Sequence, residues 1–229
     1  MKRGLVWTTA AVLVWLAFGV ARHRTDALAS TTPFPDAALD NPLATASAEE
    51  SVVVAGGCFW GVQAVFQHLK GVTSATSGYA GGSAKNAKYE LVSTGTTGHA
   101  ESVRIVYDAS QISMGQVLKI FFRVAHDPTE LNRQGPDEGS QYRSAIFYDG
   151  DRQRRIAEAY VTQLGEAKVF KRRIVTQIAP LDAFYAAESY HQDYAARHPF
   201  EPYIMINDRP KVDALRALYP AIYIEPRRK

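Results

Sequence analysis

Residues 51–69 read SVVVAGGCFWGVQAVFQHL and predict a strand that is followed directly by a helix. The first five residues are mostly apolar and β-branched, which is typical of a buried strand, and two glycines end it. From residue 59 to residue 69, apolar side chains recur at spacings of three and four, which is typical of an amphipathic helix. Cys58 therefore lies where the strand turns into the helix.

A cysteine at the start of a helix faces unpaired backbone N–H groups and the positive end of the helix dipole. Both favour the thiolate, so we expect a lowered pKa for Cys58 and a nucleophilic sulfur at neutral pH. Gly56 and Gly57 permit backbone conformations closed to other residues and let a ligand approach the backbone. The alternative interpretation is that Cys58 is simply a small buried hydrophobic residue.

The rest of the chain alternates strand-like and helix-like segments. Ser113 is placed to cap a helix, and residues 127–142 form a polar loop with Gly and Pro whose length favours a functional role. The sum is one α+β domain with a mixed or antiparallel sheet and helices packed on it. Strands are predicted at residues 72–79, 101–107, 143–148 and 174–178, and helices at residues 114–124, 152–168 and 186–196.

Composition excludes several classes of protein. Of 229 residues, 46% are hydrophobic and 21% charged, which excludes a disordered or fibrous chain. With 26 basic and 23 acidic residues, the net charge of +3 does not predict a nucleic-acid surface. The single cysteine excludes an intrachain disulfide and any zinc site that needs two thiolates.

The beginning of the chain differs from the rest. Residues 4–21 carry no charge and lie between basic residues, so residues 1–29 are predicted to be a signal peptide or an N-terminal membrane anchor. Residues 30–50 are rich in Ala, Ser, Thr and Pro and predict a flexible linker. Residues 51–229 then form a catalytic domain, which we expect in the periplasm or another exported envelope space.

The partner of Cys58 determines the class of reaction. Acyl transfer needs a histidine base, for which His99 and His191 are the candidates. A proton donor is the other possibility, and Glu101 enters a strand that is otherwise mostly apolar, where desolvation favours a neutral carboxyl. Three polar residues in or beside glycine-containing loops could assist: Tyr89, Asp137 and Tyr142.

Four motifs occur in an order that resembles peptide methionine sulfoxide reductase A. They are GGCFWG at 56–61, SGYAGG at 77–82, GHAE at 98–101 and DEGSQYRS at 137–144. The resemblance spans about residues 51–223, nearly all of the predicted domain. It implies a ferredoxin-like α+β core extended by long loops. It also implies reduction of the S epimer of methionine sulfoxide, free or within proteins.

The resemblance also implies roles for single residues. Cys58 matches the nucleophile, Glu101 the acid, and Asp137 a loop carboxyl that organises the site. Gly57 and His191 are further positions expected at the substrate. Tyr89 and Tyr142 match the residues that donate hydrogen bonds to the sulfoxide oxygen. Phe59 and Trp60 match the pocket that holds the S-methyl group.

The sequence departs from many members of that family, which carry resolving cysteines near the C-terminus. Residues 202–212 contain none, so a Cys58 sulfenic acid would have to react with an external thiol. A thioredoxin-like protein or glutathione with a glutaredoxin is the expected reductant, without a prosthetic cofactor, and the chain is expected to act as a monomer. Two other hypotheses stay open, namely a cysteine-dependent acyl transferase or hydrolase and a non-catalytic module that binds oxidised methionine.

Overall fold

The computed structural model describes residues 34–226, and its centre is a six-stranded mixed sheet. The order of the strands is β7-β6-β1-β3-β2-β8, and only the β6–β7 pair within this sheet is parallel. A separate two-stranded ribbon joins β4 to β5. The strands are β1 (Glu49–Ala55), β2 (Val72–Ala80), β3 (Ala100–Asp108), β4 (Arg133–Gln134), β5 (Asp137–Glu138), β6 (Ala145–Tyr148), β7 (Gln177–Pro180) and β8 (Phe184–Ala186).

Between residues 34 and 226, six α-helices accompany the sheet, and two of them adjoin a π-helical turn. The turn Phe121–Ala125 continues α3, and the turn Ile204–Asp208 leads into α6. The helices are α1 (Phe59–Gln67), α2 (Tyr89–Val92), α3 (Met114–Ile120), α4 (Gly150–Glu166), α5 (Tyr194–Arg197) and α6 (Arg209–Leu218).

The order of elements confirms the ferredoxin-like core. The path β1–α1–β2–β3–α3–β6 is a βαββαβ unit, and its four strands lie side by side in the order β6-β1-β3-β2. Strands β7 and β8 extend this unit at its two edges, and the long loops precede and follow β6. The α+β class with a mixed sheet is therefore confirmed.

The apolar run at the start of β1 reflects the position of that strand. Pairing with β3 on one side and β6 on the other makes β1 a central strand, and Val52, Val53 and Val54 are each no more than 2% exposed. Because both faces of the strand are covered, its sequence shows a continuous apolar run instead of alternation.

Most predicted elements are confirmed with shifted ends. The strands predicted at residues 51–55, 72–79 and 101–107 are each longer by one or two residues, and Ser113 caps α3 through a reciprocal capping box with Gln116. Five further elements have shifted ends: the helices predicted at 59–69 (α1), 114–124 (α3 with its π-helical turn) and 152–168 (α4), and the strands predicted at 143–148 (β6) and 174–178 (β7).

The helix predicted at residues 186–196 is wrong. Strand β8 occupies the start of this segment, a 3₁₀ turn spans Ser189–His191, and only the short α5 is helical. Asp193 takes a left-handed conformation with φ of +55°, which interrupts any continuous helix. The side chain of Gln192 bonds both backbone groups of Ser77, so the segment follows the edge of the sheet.

Residues 34–50, the described part of the segment expected to be a flexible linker, make contacts with the rest of the domain. The hydroxyl of Tyr160 donates to the carbonyl oxygen of Pro35 at 2.7 Å. Lys119 Nζ lies 2.7 Å from Asp36 Oδ1. These contacts hold the segment on α3 and α4. Its polar groups bind residues that are distant in the sequence, which the local sequence does not show.

Within residues 34–226, no helix is both long and apolar enough to cross a membrane. The uncharged run at residues 4–21 and the whole predicted signal peptide or anchor of residues 1–29 lie outside the described residues.

One residue of the docked segment supports the N-terminus of α3. Asp40 accepts a hydrogen bond from the backbone N–H of Gly115 at 2.9 Å and another from the hydroxyl of Ser113. A carboxylate at this place satisfies an otherwise unpaired helix donor and complements the helix dipole.

Replacing that carboxylate should destabilise the domain. We expect Asp40→Ala to lower the free energy of unfolding by about 1–2 kcal/mol, because α3 loses a capping interaction. The matched control is Asp213→Ala, which removes an exposed carboxylate 3.9 Å from Arg209 on α6. Thermal melts of the domain measure both variants, and an equal, small effect of the two would contradict docking of this segment.

Candidate active site

Cys58 lies at the N-terminus of α1, as the sequence predicts, and its side chain is only 8% exposed. The residue before it, Gly57, has φ of +88°, which favours glycine. A Cβ atom at this position would also lie 2.5 Å from Gln134 Cγ, so the missing side chain lets the loop that carries β4 pack against the residue before Cys58. Gly57 is therefore required both by the backbone conformation and by this close contact.

Glu101 lies beside the thiol because of the sheet pairing. Its side chain is 3% exposed, and its Oε2 accepts a hydrogen bond from the backbone N–H of Phe59, the first residue of α1, at 3.0 Å. Burial raises the pKa of Glu101 to about 8, against the opposing effect of that hydrogen bond. The carboxyl is therefore mainly protonated at pH 7, which agrees with the proposed role of a proton donor.

The expected lowering of the Cys58 pKa is wrong. Burial raises the pKa of the thiol well above its usual value, and the nearby carboxyl groups of Glu101 and Asp208 raise it further. A hydrogen bond from the backbone N–H of Trp60 and the charge of Lys211 act in the opposite direction without overcoming them. The resting site therefore holds a neutral thiol next to a neutral acid.

Two predicted tyrosines and the loop carboxyl lie around this pair. Burial is the main cause that raises the pKa values of Tyr89 and Tyr142, and the charges of Glu101 and Cys58 contribute in both cases. Both hydroxyls are therefore protonated donors within electrostatic range of the thiol. Asp137 accepts a hydrogen bond from Tyr203, and burial raises its pKa.

Arg143 holds two of these segments together. Its guanidinium donates to the carbonyl oxygens of Ser140, at 2.8 Å, and Gly98, at 2.9 Å. The first carbonyl belongs to the turn that carries Tyr142, and the second lies three residues before Glu101. The arginine thereby fixes the position of a hydroxyl donor relative to the acid.

Aromatic rings form the apolar side of the site. Trp60 stacks on Tyr194 with ring centroids 3.8 Å apart, and its Nε1 donates to Nδ1 of His191 at 3.2 Å. The rings of Phe59 and Tyr89 lie 5.1 Å and 4.3 Å from the His191 ring. Phe59, Trp60 and His191 are thus brought together as predicted, next to the thiol.

The histidines do not form the pair with Cys58 that acyl transfer requires. His191 accepts from Trp60, and Nε2 of His99 lies 3.0 Å from the carbonyl oxygen of Ser83. Burial lowers the pKa of His191, so its ring is neutral. The geometry gives no support to an acyl transferase or hydrolase. Within residues 34–226, no group of three His, Cys, Asp or Glu side chains could hold a metal ion.

Sequence reasoning missed several side chains of the site. Glu188 accepts from the hydroxyl of Tyr79 at 2.8 Å and from the backbone N–H of Tyr89 at 3.0 Å. The segment 202–212 contributes three more, and their one signal in the sequence is a set of polar residues among apolar ones. These three are Tyr203, Asp208 and Lys211.

Comparison with known proteins places this arrangement in a family. The family model described as peptide methionine sulfoxide reductase matches residues 50–221. Peptide methionine sulfoxide reductase MsrA 2 of Mesorhizobium japonicum is 55% identical over 79% of this chain and 92% of its own length. Its counterpart from Synechocystis is 50% identical over 81% of this chain and 87% of its own length.

Solved structures agree with the sequence matches. Methionine sulfoxide reductase A of Corynebacterium diphtheriae is 37% identical, with a TM-score of 0.58, and covers 66% of this chain and 76% of its own. Reduced Mxr1 of Saccharomyces cerevisiae is 29% identical, with a TM-score of 0.60, and covers 69% of this chain and 94% of its own. Since these matches span most of the described fold and the motifs that build the site, the chain belongs to the peptide methionine sulfoxide reductase family.

Proposed function

We propose that Cys58 and Glu101 carry out the reduction of methionine sulfoxide to methionine, the activity of this family, and that the protein thereby repairs oxidised proteins. The observation that supports these roles most directly is the hydrogen bond from Phe59 N–H to the Glu101 carboxyl at 3.0 Å. It holds an acid with a pKa of about 8 beside the only cysteine in the chain.

The surroundings of the thiol suit a sulfoxide. The S-methyl group would lie against Phe59 and Trp60, and the oxygen would accept hydrogen bonds from Glu101 and from the hydroxyls of Tyr89 and Tyr142. An apolar wall on one side and donors on the other distinguish the two configurations at sulfur, and membership in the family supports a preference for the S epimer. A sulfoxide is neutral, as are the thiol and the acid that receive it.

The reaction transfers one oxygen atom and two electrons. Glu101 gives its proton to the sulfoxide oxygen while the Cys58 sulfur attacks the substrate sulfur, and the proton of the thiol restores Glu101. The S–O bond of the substrate and the sulfur–sulfur bond formed in the attack then break, so that methionine leaves and the oxygen ends on Cys58. A thiol and a sulfoxide are thereby converted into a sulfenic acid and a thioether, which is methionine.

An external thiol is proposed to return Cys58 to its reduced form. A first thiol condenses with the sulfenic acid and releases water, and a second thiol then reduces the resulting mixed disulfide. The reductant is either a thioredoxin-like protein or glutathione with a glutaredoxin. The family needs no prosthetic cofactor, so these thiols supply all the electrons.

The proposed roles predict distinct losses of activity. We expect Cys58→Ser to abolish methionine release from a methyl sulfoxide substrate in the presence of dithiothreitol. Glu101→Gln should lower kcat/KM about 10²–10⁴-fold at pH 7, since it removes the proton donor. That ratio of kcat/KM values should shrink above pH 8, because Glu101 with its pKa of about 8 then loses its own proton.

Glu138→Gln is the matched control, because Glu138 is an exposed carboxylate of the same loop as Asp137. Among the described residues, it forms an ion pair with Arg133 at the surface, 3.4 Å away. Its kcat/KM should equal that of the unsubstituted protein. Turnover by Cys58→Ser would contradict the mechanism, and binding of the sulfoxide without any turnover in the unsubstituted protein would favour the non-catalytic module.

Recycling by an external thiol predicts an intermediate that accumulates. After one turnover without added thiol, Cys58 should react with dimedone, because no second cysteine can condense with its sulfenic acid. Intact-protein mass spectrometry would detect one adduct per chain. Addition of thioredoxin, or of glutathione with glutaredoxin, before dimedone should prevent labelling. Repeated turnover by the protein without any added thiol would contradict this scheme.

We propose further that the domain is exported, with residues 1–29 as its signal peptide or membrane anchor. The uncharged run of residues 4–21 between basic residues supports this. A fusion tagged after Lys229 and expressed in a bacterium should be recovered from the envelope fraction. The same fusion without residues 1–29 should stay in the cytoplasm, and equal distribution of the two would contradict export.

A further inference from the structure

A buried ion pair lies against the helix that carries Cys58. Asp208 is fully buried, and Lys211 Nζ lies 3.2 Å from its Oδ1. A Cβ atom at Gly61 would collide with the Asp208 carboxylate and lie 2.8 Å from Lys211 Nζ. Since Gly61 has no side chain, the two charges pack directly on the first turn of α1.

The same turn of α1 holds the thiol. Cys58 is the N-cap residue of the helix and Gly61 is its third helical residue, so both lie on the first turn. The backbone N–H of Trp60, on the same turn, lowers the pKa of the thiol. The sulfur and the ion pair are therefore neighbours on one helical turn, although the pair comes from the C-terminal part of the chain.

The pair is built at a cost that packing alone does not explain. The second carboxylate oxygen of Asp208, Oδ2, is buried and has no hydrogen-bond partner among the described residues. A buried carboxylate with one unpaired oxygen is unfavourable, and well-packed apolar residues would usually serve stability at least as well. A contribution to stability therefore does not explain why the two charges are buried at this place.

The two charges act on Cys58 in opposite directions. Asp208 raises the pKa of the thiol, after the larger effects of burial and Glu101, whereas Lys211 lowers it. Burial is the main cause of the raised pKa of Glu101, and Asp208 adds to it. The other titratable groups that interact electrostatically with Cys58 are Glu101 on β3 and the hydroxyls of Tyr89, Tyr142, Tyr194 and Tyr203.

We propose that Asp208 and Lys211 are a positioning pair in which the Lys211 ammonium stabilises the negative charge on the Cys58 sulfur and Asp208 holds that ammonium at the turn. This inference rests on the proposed function and assigns it two further residues. The sulfur carries negative charge when its proton leaves during attack on the sulfoxide. It does so again when the second thiol expels it from the mixed disulfide.

The chain offers a direct test, because its single cysteine makes alkylation specific for Cys58. Asp208→Asn keeps the shape of the side chain and an amide oxygen that can still accept from Lys211, and it removes the opposing charge. Iodoacetamide should therefore alkylate Cys58 about tenfold faster at pH 8. Addition of Lys211→Met to that variant should slow the alkylation about tenfold again. Addition of Lys211→Arg, which keeps the charge, should leave it fast.

General loosening of the site would accelerate alkylation in every variant, so the reversal between the single and the double variant excludes it. The matched control is the exposed pair of Arg209 and Asp213 on the same helix, 3.9 Å apart. Asp213→Asn and its combination with Arg209→Met should alkylate like the unsubstituted protein. Identical alkylation rates for Asp208→Asn and for the double variant with Lys211→Met would overturn the inference.

The second measurement is single-turnover reduction of a methyl sulfoxide. In the Asp208→Asn background, Lys211→Met should react about tenfold more slowly than Lys211→Arg. Alkylation needs no sulfoxide, so the two ideas can fail separately. Expected alkylation rates without any sulfoxide reduction would reject the proposed function alone, and normal reduction with unaltered alkylation rates would reject the pair alone.

Discussion

The hydrogen bond from Phe59 N–H to Glu101 is the contact on which the site depends. A helix start has N–H groups without partners, and a buried carboxyl has oxygens without donors, so each satisfies the other. The antiparallel pairing of β1 with β3 sets Val54 opposite Val103 and so brings the end of β1 beside the beginning of β3. A residue just after β1 and a residue early in β3 must therefore be neighbours.

Burial acts on the two reacting groups with opposite consequences for the chemistry. It raises the pKa of Glu101 to about 8, which suits an acid at pH 7, and it also raises the pKa of Cys58, which opposes the nucleophile. The helix N-terminus works in the right direction but is weaker than desolvation here. A neutral site has one advantage, because a neutral sulfoxide enters it without burying or releasing a charge.

Local pattern predicted the elements whose residues act locally. The apolar run of β1, the glycines before Cys58 and the Ser113 cap are signals within a few residues of the structure that they specify. The helix predicted at residues 186–196 is wrong because its polar residues bind distant backbone groups, as Gln192 does at Ser77. Periodicity cannot register such partners. The docking of Asp40 on α3 went unpredicted for the same reason.

The C-terminal segment shows why one half of the site was visible in the sequence and the other was not. Residues 202–212 lack the cysteines that many members of the family use there. This absence predicts that the segment does not resolve a sulfenic acid, but it predicts nothing about the other contacts of the segment. Packing of α6 against α1 brings Tyr203 and Asp208 to the thiol from about 150 residues away in the chain. In the N-terminal half of the chain, Gly61 reflects the contact with Asp208, because a side chain at residue 61 would displace the Asp208 carboxylate. The segment thus places charged groups around the single cysteine of the sequence.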